Sequence, residues 1–379
     1  MEVPVDLCGP ARTSTATTGG IRPLAGFTVS VTADPRRDAL TALLRRRGAR
    51  VVTTQVVRVA PLPDDAPLRR ATLDCVAGSL DAVVATTDGA LRSWLCAADG
   101  WGQADALRSR LAAGHLVAPA RAARSVGLVS AWSPAYGSDD EVLDHLLDLG
   151  VAGRRVALYR DADPEHAFGA ALRAAGADVV EVPAYRWAAP ADPAPLRRLV
   201  DLIADRLVDA AVFTSAPAVG ALLHAAGTDA GRVLDALRTD VLAACPGRCA
   251  AAPLRELPVP VPVAVPSRAR LETFVDLLAT ELPRRARTLC VAGTPVTLRG
   301  HAAIVGGVLR PLAPGPMAVL RALADRPGKV LSRAALRRVL PRSADEHAVE
   351  MAVARLRNGL GGAGYVQTVV KRGYRLPVS

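Results

Sequence analysis

Two hydroxyl pairs and two basic clusters are the parts of this 379-residue chain whose types and spacing could do chemistry. The hydroxyl pairs are Thr86-Thr87, in LDAVVATTDGALRSWL, and Thr214-Ser215, in VDAAVFTSAPAVGALL. In both, an apolar run led by an aspartate reaches the hydroxyls just before a helical pattern. Strand ends and helix N-termini in an open α/β sheet offer unpaired N–H groups there, so this is where ligands bind. The plainer alternative is that the hydroxyls are helix N-caps. The basic clusters lie in the last forty residues. Arg355 and Arg357 flank the face formed by His347, Met351, Ala354 and Asn358 in HAVEMAVARLRNGL. Lys371-Arg372-Gly373 then sits at the tip between YVQTVV and GYRLPV, which alternate as a hairpin. Such groups could neutralise phosphates, although a solvated basic surface uses the same residues.

The hydroxyls depend on a duplicated framework. LAGFTVSVTADPRRDALTALLRRRGARVVTTQVV, from Leu24, and VAGRRVALYRDADPEHAFGAALRAAGADVVEVPAY, from Val151, follow one plan. Each gives a glycine, a β-branched strand, an ADP turn, an Ala/Leu helix, a Gly-Ala C-cap and a second strand, a repeated βαβ unit. The basic cluster has its own scaffold. VAGTPVTLRG, HAAIVGG and VLRPLAP predict three short strands, PGPMAVLRALADRPG a helix with Met317, Leu320 and Leu323 inward, and SRAALRRVLP a second helix capped by Ser332. In the third helix Val349, Val353, Leu356 and Leu360 form one buried stripe.

Charge separates the two parts. The net charge is +11, yet the residues from Arg284 onward hold 17 basic and four acidic side chains, +13, leaving −2 for everything before. Such asymmetry favours a polyanion as partner of the C-terminal part. The six cysteines, Cys8, Cys75, Cys96, Cys245, Cys249 and Cys290, form no CxxC pair, and no histidine spacing suggests zinc, so no metal and no cofactor are expected. Met1 to Gly20 lack a signal-peptide pattern, and no apolar run reaches the ~18 residues of a membrane span. A cytoplasmic protein without a membrane partner is expected.

Together, the duplicated units, VDAAVFTSAPAVG, VPAYRW and CPGRCAAAPL resemble the uroporphyrinogen-III synthase family over about Leu24 to Leu282. The resemblance implies an α/β fold of two doubly wound parallel-sheet lobes, residues 21–57 with 187–282 and residues 58–186. The cleft between them holds an octacarboxylate tetrapyrrole that the family cyclises in tetrapyrrole biosynthesis. It places Tyr185 at the family's cleft tyrosine, the candidate catalytic group, although a core aromatic is an equal reading. Thr32, Thr86, Thr87, Thr214, Ser215 and Arg248 would line the cleft. Against the family's Gly-Pro-x-Thr-Ala, this chain has Gly247-Arg248-Cys249-Ala250-Ala251. A threonine hydroxyl is thereby lost at Ala250 and a charge gained at Arg248. Ala33 replaces an arginine, and the turn around Pro119 is shortened, so the substrate grip is altered.

Over about Val291 to Val378, PGKVLSRAALRRVL, HAVEMAVARLRNGL and VQTVVKRGYRL resemble the OmpR/PhoB-type winged-helix DNA-binding domain. That resemblance implies double-stranded DNA as partner, with the third helix in the major groove and the wing in a minor groove. His347, Arg355, Arg357 and Thr368 fall on DNA-contacting positions, with Lys371 and Arg372 substituting for a wing arginine that is Val370 here. Ala352 and Ala354 stand where the family often has His and Arg, which thins base reading and suggests a second transcription factor as partner. The expected organisation is a flexible leader at 1–20, the synthase-like domain at 21–282, a linker at 283–290 and the C-terminal winged helix-turn-helix domain at 291–379.

Such DNA-binding domains usually follow a receiver domain, and the acidic pair and phosphoacceptor of a receiver are missing from the strand ends here. Fused chains of this kind resemble actinobacterial regulators associated with nitrate and nitrite assimilation, whose nitrite reductase uses a tetrapyrrole-derived sirohaem. The expectation is transcription regulation with the synthase-like domain as sensor of a tetrapyrrole-related ligand. The alternative is an active uroporphyrinogen-III synthase bearing a DNA-binding domain.

Overall fold

A computed structural model describes residues 20–33, 37–86, 89–134, 139–161, 167–268, 270–340 and 346–378. Thr87, the ADP turns apart from Ala33, and all but the last residue of the expected leader lie outside the described residues.

Strand β1 (Thr28–Ala33) is buried on both faces: Val29 and Val31 are fully covered, and Ser30 and Thr32 nearly so. That is the signature of a parallel strand between two helical layers. The chain continues through α1 (Arg37–Arg46) and β2 (Arg50–Gln55), then crosses on β3 (Arg58–Ala60) into a second lobe. There it forms α2 (Ala66–Ala77), β4 (Ala82–Val84), α3 (Ala90–Asp99), α4 (Ala104–Ala113) and β5 (His115–Val117). It continues as α5 (Ala120–Ser125), α6 (Asp139–Leu149), β6 (Arg155–Asp161) and α7 (Ala167–Ala174), and leaves along β7 (Asp178–Ala188). Back in the first lobe come α8 (Ala194–Ala204), β8 (Ala210–Val212), α9 (Ala216–Ala226), α10 (Ala230–Thr239), β9 (Leu242–Ala244), α11 (Arg248–Arg255) and α12 (Leu271–Arg285).

The first lobe is a parallel sheet ordered β2-β1-β8-β9. The second is ordered β3-β7-β6-β4-β5, parallel except where β3 runs against β7. Strands β3 and β7 therefore join the lobes, as Trp187 near the end of β7 packs on the first lobe's core. In each repeat the helix ends at a glycine with positive φ, Gly48 at 99° and Gly176 at 88°. A side chain there would be strained, which explains the shared Gly-Ala stop.

The C-terminal part opens with β10 (Arg287–Val291), β11 (Thr294–Leu298), β12 (Ala302–Val305) and β13 (Val308–Pro311), an antiparallel sheet in chain order. Four strands thus stand where three were expected. Residues 283–290, expected as a linker, hold the last turn of α12 and most of β10. RTLC has no apolar alternation to announce a strand; it is ordered by pairing with β11, where the Thr288 and Thr297 hydroxyls meet at 2.8 Å.

Helices α13 (Pro314–Asp325), α14 (Arg333–Arg337) and α15 (Glu346–Leu360) follow, then the wing of β14 (Gln367–Val369) and β15 (Gly373–Arg375). The Ser332 hydroxyl caps α14 by accepting from the Ala335 N–H at 3.2 Å. Val349, Val353, Leu356 and Leu360 are all at most 1% exposed, and Ala352 joins them at 6%. Each fully buried Val or Leu contributes roughly 1.5–3 kcal/mol, so this stripe anchors α15. Gly373 belongs to β15, in register with Val369, so the hairpin tip is Val370, Lys371 and Arg372.

Candidate functional site

The residues expected to line a cleft sit at strand ends, and Thr32 among them is buried. Thr32 is near the end of β1 and Thr214 follows the neighbouring β8, and the two bond to each other. The Thr214 N–H donates to Thr32 Oγ1 at 3.0 Å, and the Thr214 hydroxyl donates to the Thr32 carbonyl at 3.1 Å. They act as a staple across the sheet. Ser215 occupies the N-cap of α9, yet its side chain makes no capping bond, so neither hydroxyl is used as an N-cap. Thr86 is half-buried just past β4. Tyr185 lies on β7, in register with Asp161 at the end of β6, and meets Trp187 edge-on at 5.5 Å between ring centroids. Thr32 and Thr214 come together; Tyr185 and Thr86 stand on the other lobe's elements.

Arg248 opens α11 and reaches the other lobe. Its guanidinium lies 3.4 Å from an Asp140 oxygen and 2.9 Å from Asp144, both on α6. In the sequence these acids announce nothing but an acidic helix start, DDEVLD. Asp139, beside Asp140, pairs with Arg160 at 3.5 Å. Burial, then Asp140 and Asp139, push the Cys249 thiol up to about 12, and burial does the same to Cys75. These thiols are inert at neutral pH. Among the described residues no group of three or more His, Cys, Asp or Glu could hold a metal.

The C-terminal basic residues divide. Arg355 is exposed on α15, and Lys371 and Arg372 are exposed at the wing tip. His347 is exposed and sits 3.7 Å from Glu350. Arg357 is instead a strut: its Nε and Nη2 donate to the Val366 carbonyl at 2.9 and 2.6 Å, and Nη2 donates to Thr368 Oγ1 at 2.9 Å. It ties α15 to the wing and occupies Thr368. Ala352 is core, so no reading residue could project from it, whereas Ala354 is exposed. Arg337 and Arg338, on and after α14, are exposed as well. The doublet in AALRRVL was their only signal. Arg333 joins them but is shared with Glu350 at 3.3 Å and lies over Tyr374.

A third cluster, unannounced by any motif, joins the winged domain to the first lobe. The Arg299 guanidinium donates to the carbonyls of Pro23 and Ala25 at 3.1 and 2.7 Å and lies over Phe27. The His301 N–H donates to the Gly26 carbonyl at 2.8 Å, and its ring is 3.1 Å from the Thr28 hydroxyl. Asp209, just before β8, accepts from the Thr28 N–H at 2.7 Å and faces Arg321 of α13 at 3.6 Å. Arg321 also donates to the Gly300 carbonyl at 2.9 Å. Burial pushes the Asp209 carboxyl up to about 6 against the opposing pull of Thr28 and Arg321. Burial likewise lowers the pKa of His301.

No helix of the described residues is long and apolar enough to cross a membrane. A family model described as uroporphyrinogen-III synthase HemD matches residues 38–276, and one described as transcriptional regulatory protein, C terminal, matches 310–376. A relative from Methanothermobacter thermautotrophicus, described as "Putative uroporphyrinogen-III synthase", is 33% identical over 125 residues, covering 33% of this chain and 49% of the relative. The chain thus spans about half the length of that curated relative. A mutant uroporphyrinogen III synthase from Thermus thermophilus is 26% identical, covering 68% of this chain and 98% of its own, with a TM-score of 0.43. The DNA-binding domain of CadC from E. coli is 30% identical, covering 25% of this chain and 95% of its own, with a TM-score of 0.22. With the synthase model matching more than half of its length, the chain belongs to the uroporphyrinogen-III synthase family, and it carries a C-terminal winged-helix domain of the transcriptional-regulator type.

Proposed function

We propose that this protein is a DNA-binding transcriptional regulator in which the synthase-like module is the regulatory domain. The observation that carries the reading is the exposed basic face of the winged domain. Arg355, Lys371 and Arg372 point to solvent on the helix and wing that neutral residues would otherwise suffice to build. The ligand of the cleft is a tetrapyrrole-related polycarboxylate, by membership of the synthase family. The regulated genes are those of nitrate and nitrite assimilation, an assignment resting on resemblance to fused actinobacterial regulators. With Ala352 buried and Ala354 apolar, few groups are left to read bases, which supports a second transcription factor as partner.

Binding of the full chain to double-stranded DNA, followed by fluorescence anisotropy over a range of salt, tests the reading. Affinity should fall with a log–log slope of about −0.9 per neutralised phosphate. Salt-independent binding, or none, removes it. Genome-wide binding would name the genes.

The second reading is an active synthase, favoured by the family match over 38–276. Purified protein given hydroxymethylbilane should leave only the spontaneous type-I product if the module is purely regulatory. Type-III product in quantity would establish the enzyme.

A further inference from the structure

The carboxylate of Asp140 belongs to the second lobe, yet its bonds are made to the first. It accepts from the Arg248 N–H at 2.8 Å and from the Cys249 N–H at 3.2 Å, with Arg248 Nε at 3.4 Å. Those two N–H groups open α11, where the helix leaves donors unpaired and the positive end of its dipole favours an anion. Asp140 is only 4% exposed, so this charge is removed from water and held across the cleft. Gly247 makes the approach possible: a Cβ there would overlap the Asp140 carboxylate. Its backbone is extended, φ −158°, so the glycine is required by the neighbour and not by the backbone. Asp144, one helical turn further along α6, takes the distal end of Arg248.

We propose that Asp140 is a built-in surrogate for a ligand carboxylate: it occupies the N-terminus of α11 and holds the lobes shut, and a polycarboxylate enters the cleft by displacing it. This rests on reading the cleft as a ligand site. The energetic logic is competition in cis. A ligand must open the Asp140 contact before using the same donors, so its apparent affinity is reduced by the fraction of molecules latched. Arg248 changes partner in the exchange, from Asp140 and Asp144 to the incoming carboxylate. Opening separates α6 from α11 and hence one lobe from the other.

The test uses the full chain with Asp140→Asn, and with Gly247→Ala as a second variant that wedges the contact apart. Hydrogen exchange at the Arg248 and Cys249 amides should accelerate in both. Binding of two probes, uroporphyrin I and citrate, is measured by titration calorimetry. At least one should bind about tenfold tighter to the variants if some nine in ten wild-type molecules are latched. Gain with uroporphyrin alone identifies a tetrapyrrole scaffold, and gain with citrate shows that the carboxylate suffices. Unchanged exchange, or no gain with either probe, overturns the proposal. DNA affinity plays no part in either readout, so failure of the regulator reading is seen separately.

Discussion

The residues expected to line the cleft and the basic face of the winged domain are opposite in their readiness. Thr32 is bonded to Thr214, and Arg248 to Asp140 and Asp144. On the winged domain, Arg355, Lys371 and Arg372 stand in solvent. A surface that meets a polyanion needs little rearrangement, because counterion release supplies much of the affinity. A cleft whose polar groups already satisfy one another must exchange internal bonds for those of a ligand. Breaking the Thr32–Thr214 staple should therefore change stability and leave DNA binding alone, and a substitution on the basic face should do the reverse.

The largest effect is expected at the junction between the two regions. The Asp209 carboxyl is raised from 3.8 to about 6 by burial, so the folded state holds its proton more tightly than the unfolded state does. Its contribution to stability is fully present below about pH 4 and is lost as pH rises through about 6. The span corresponds to roughly 3 kcal/mol. Asp209→Asn keeps an acceptor for the Thr28 N–H, and denaturant unfolding of wild type and variant at pH 4.5 and 7 should show the pH dependence shrinking in the variant. Taking the difference between the two chains removes the part due to His301, whose lowered pKa acts in the opposite sense. An equal pH dependence in both would refute the assignment.

Thr32→Val should come next. It leaves the Thr214 N–H without its acceptor and costs about 1–3 kcal/mol in unfolding free energy, with DNA affinity unchanged. A loss of DNA binding in a folded variant would mean that the staple and the basic face are not independent. Arg355→Ala should lower DNA affinity by about 1–3 kcal/mol while thermal unfolding stays put. The smallest effect belongs to Lys371→Ala at the wing tip: a salt slope shallower by about 0.9, with a modest change in affinity. A change of sequence preference in that variant would instead mean that Lys371 reads bases.

What could be read from the sequence was local. The βαβ repeat, the Ser332 cap and the stripe from Val349 to Leu360 depend on periodicity and on single residues, which a sequence displays directly. What a sequence does not display depends on pairings distant along the chain. β10 falls in the stretch expected as a linker because its order comes from β11. Arg357 stands two residues from Arg355, yet Val366 and Thr368 decide where its guanidinium goes. The bond between Thr32 and Thr214 spans 182 positions, and that between Asp140 and Arg248 spans 108. Nothing in either stretch alone announces the other.

The two neighbouring strands β1 and β8 each have one end at the Thr32–Thr214 staple and the other at the winged domain. Thr32 and Thr214 lie at the first end, and Thr28 and Asp209, gripped by His301 and Arg321, at the second. Six residues of β1 span roughly 20 Å at about 3.3 Å per residue. A strand resists stretching and compression, and parallel hydrogen bonds stop it from sliding past its neighbour. The pair is therefore one stiff element that ties the Thr32–Thr214 staple to Thr28 and Asp209 at the base of the winged domain, away from α15.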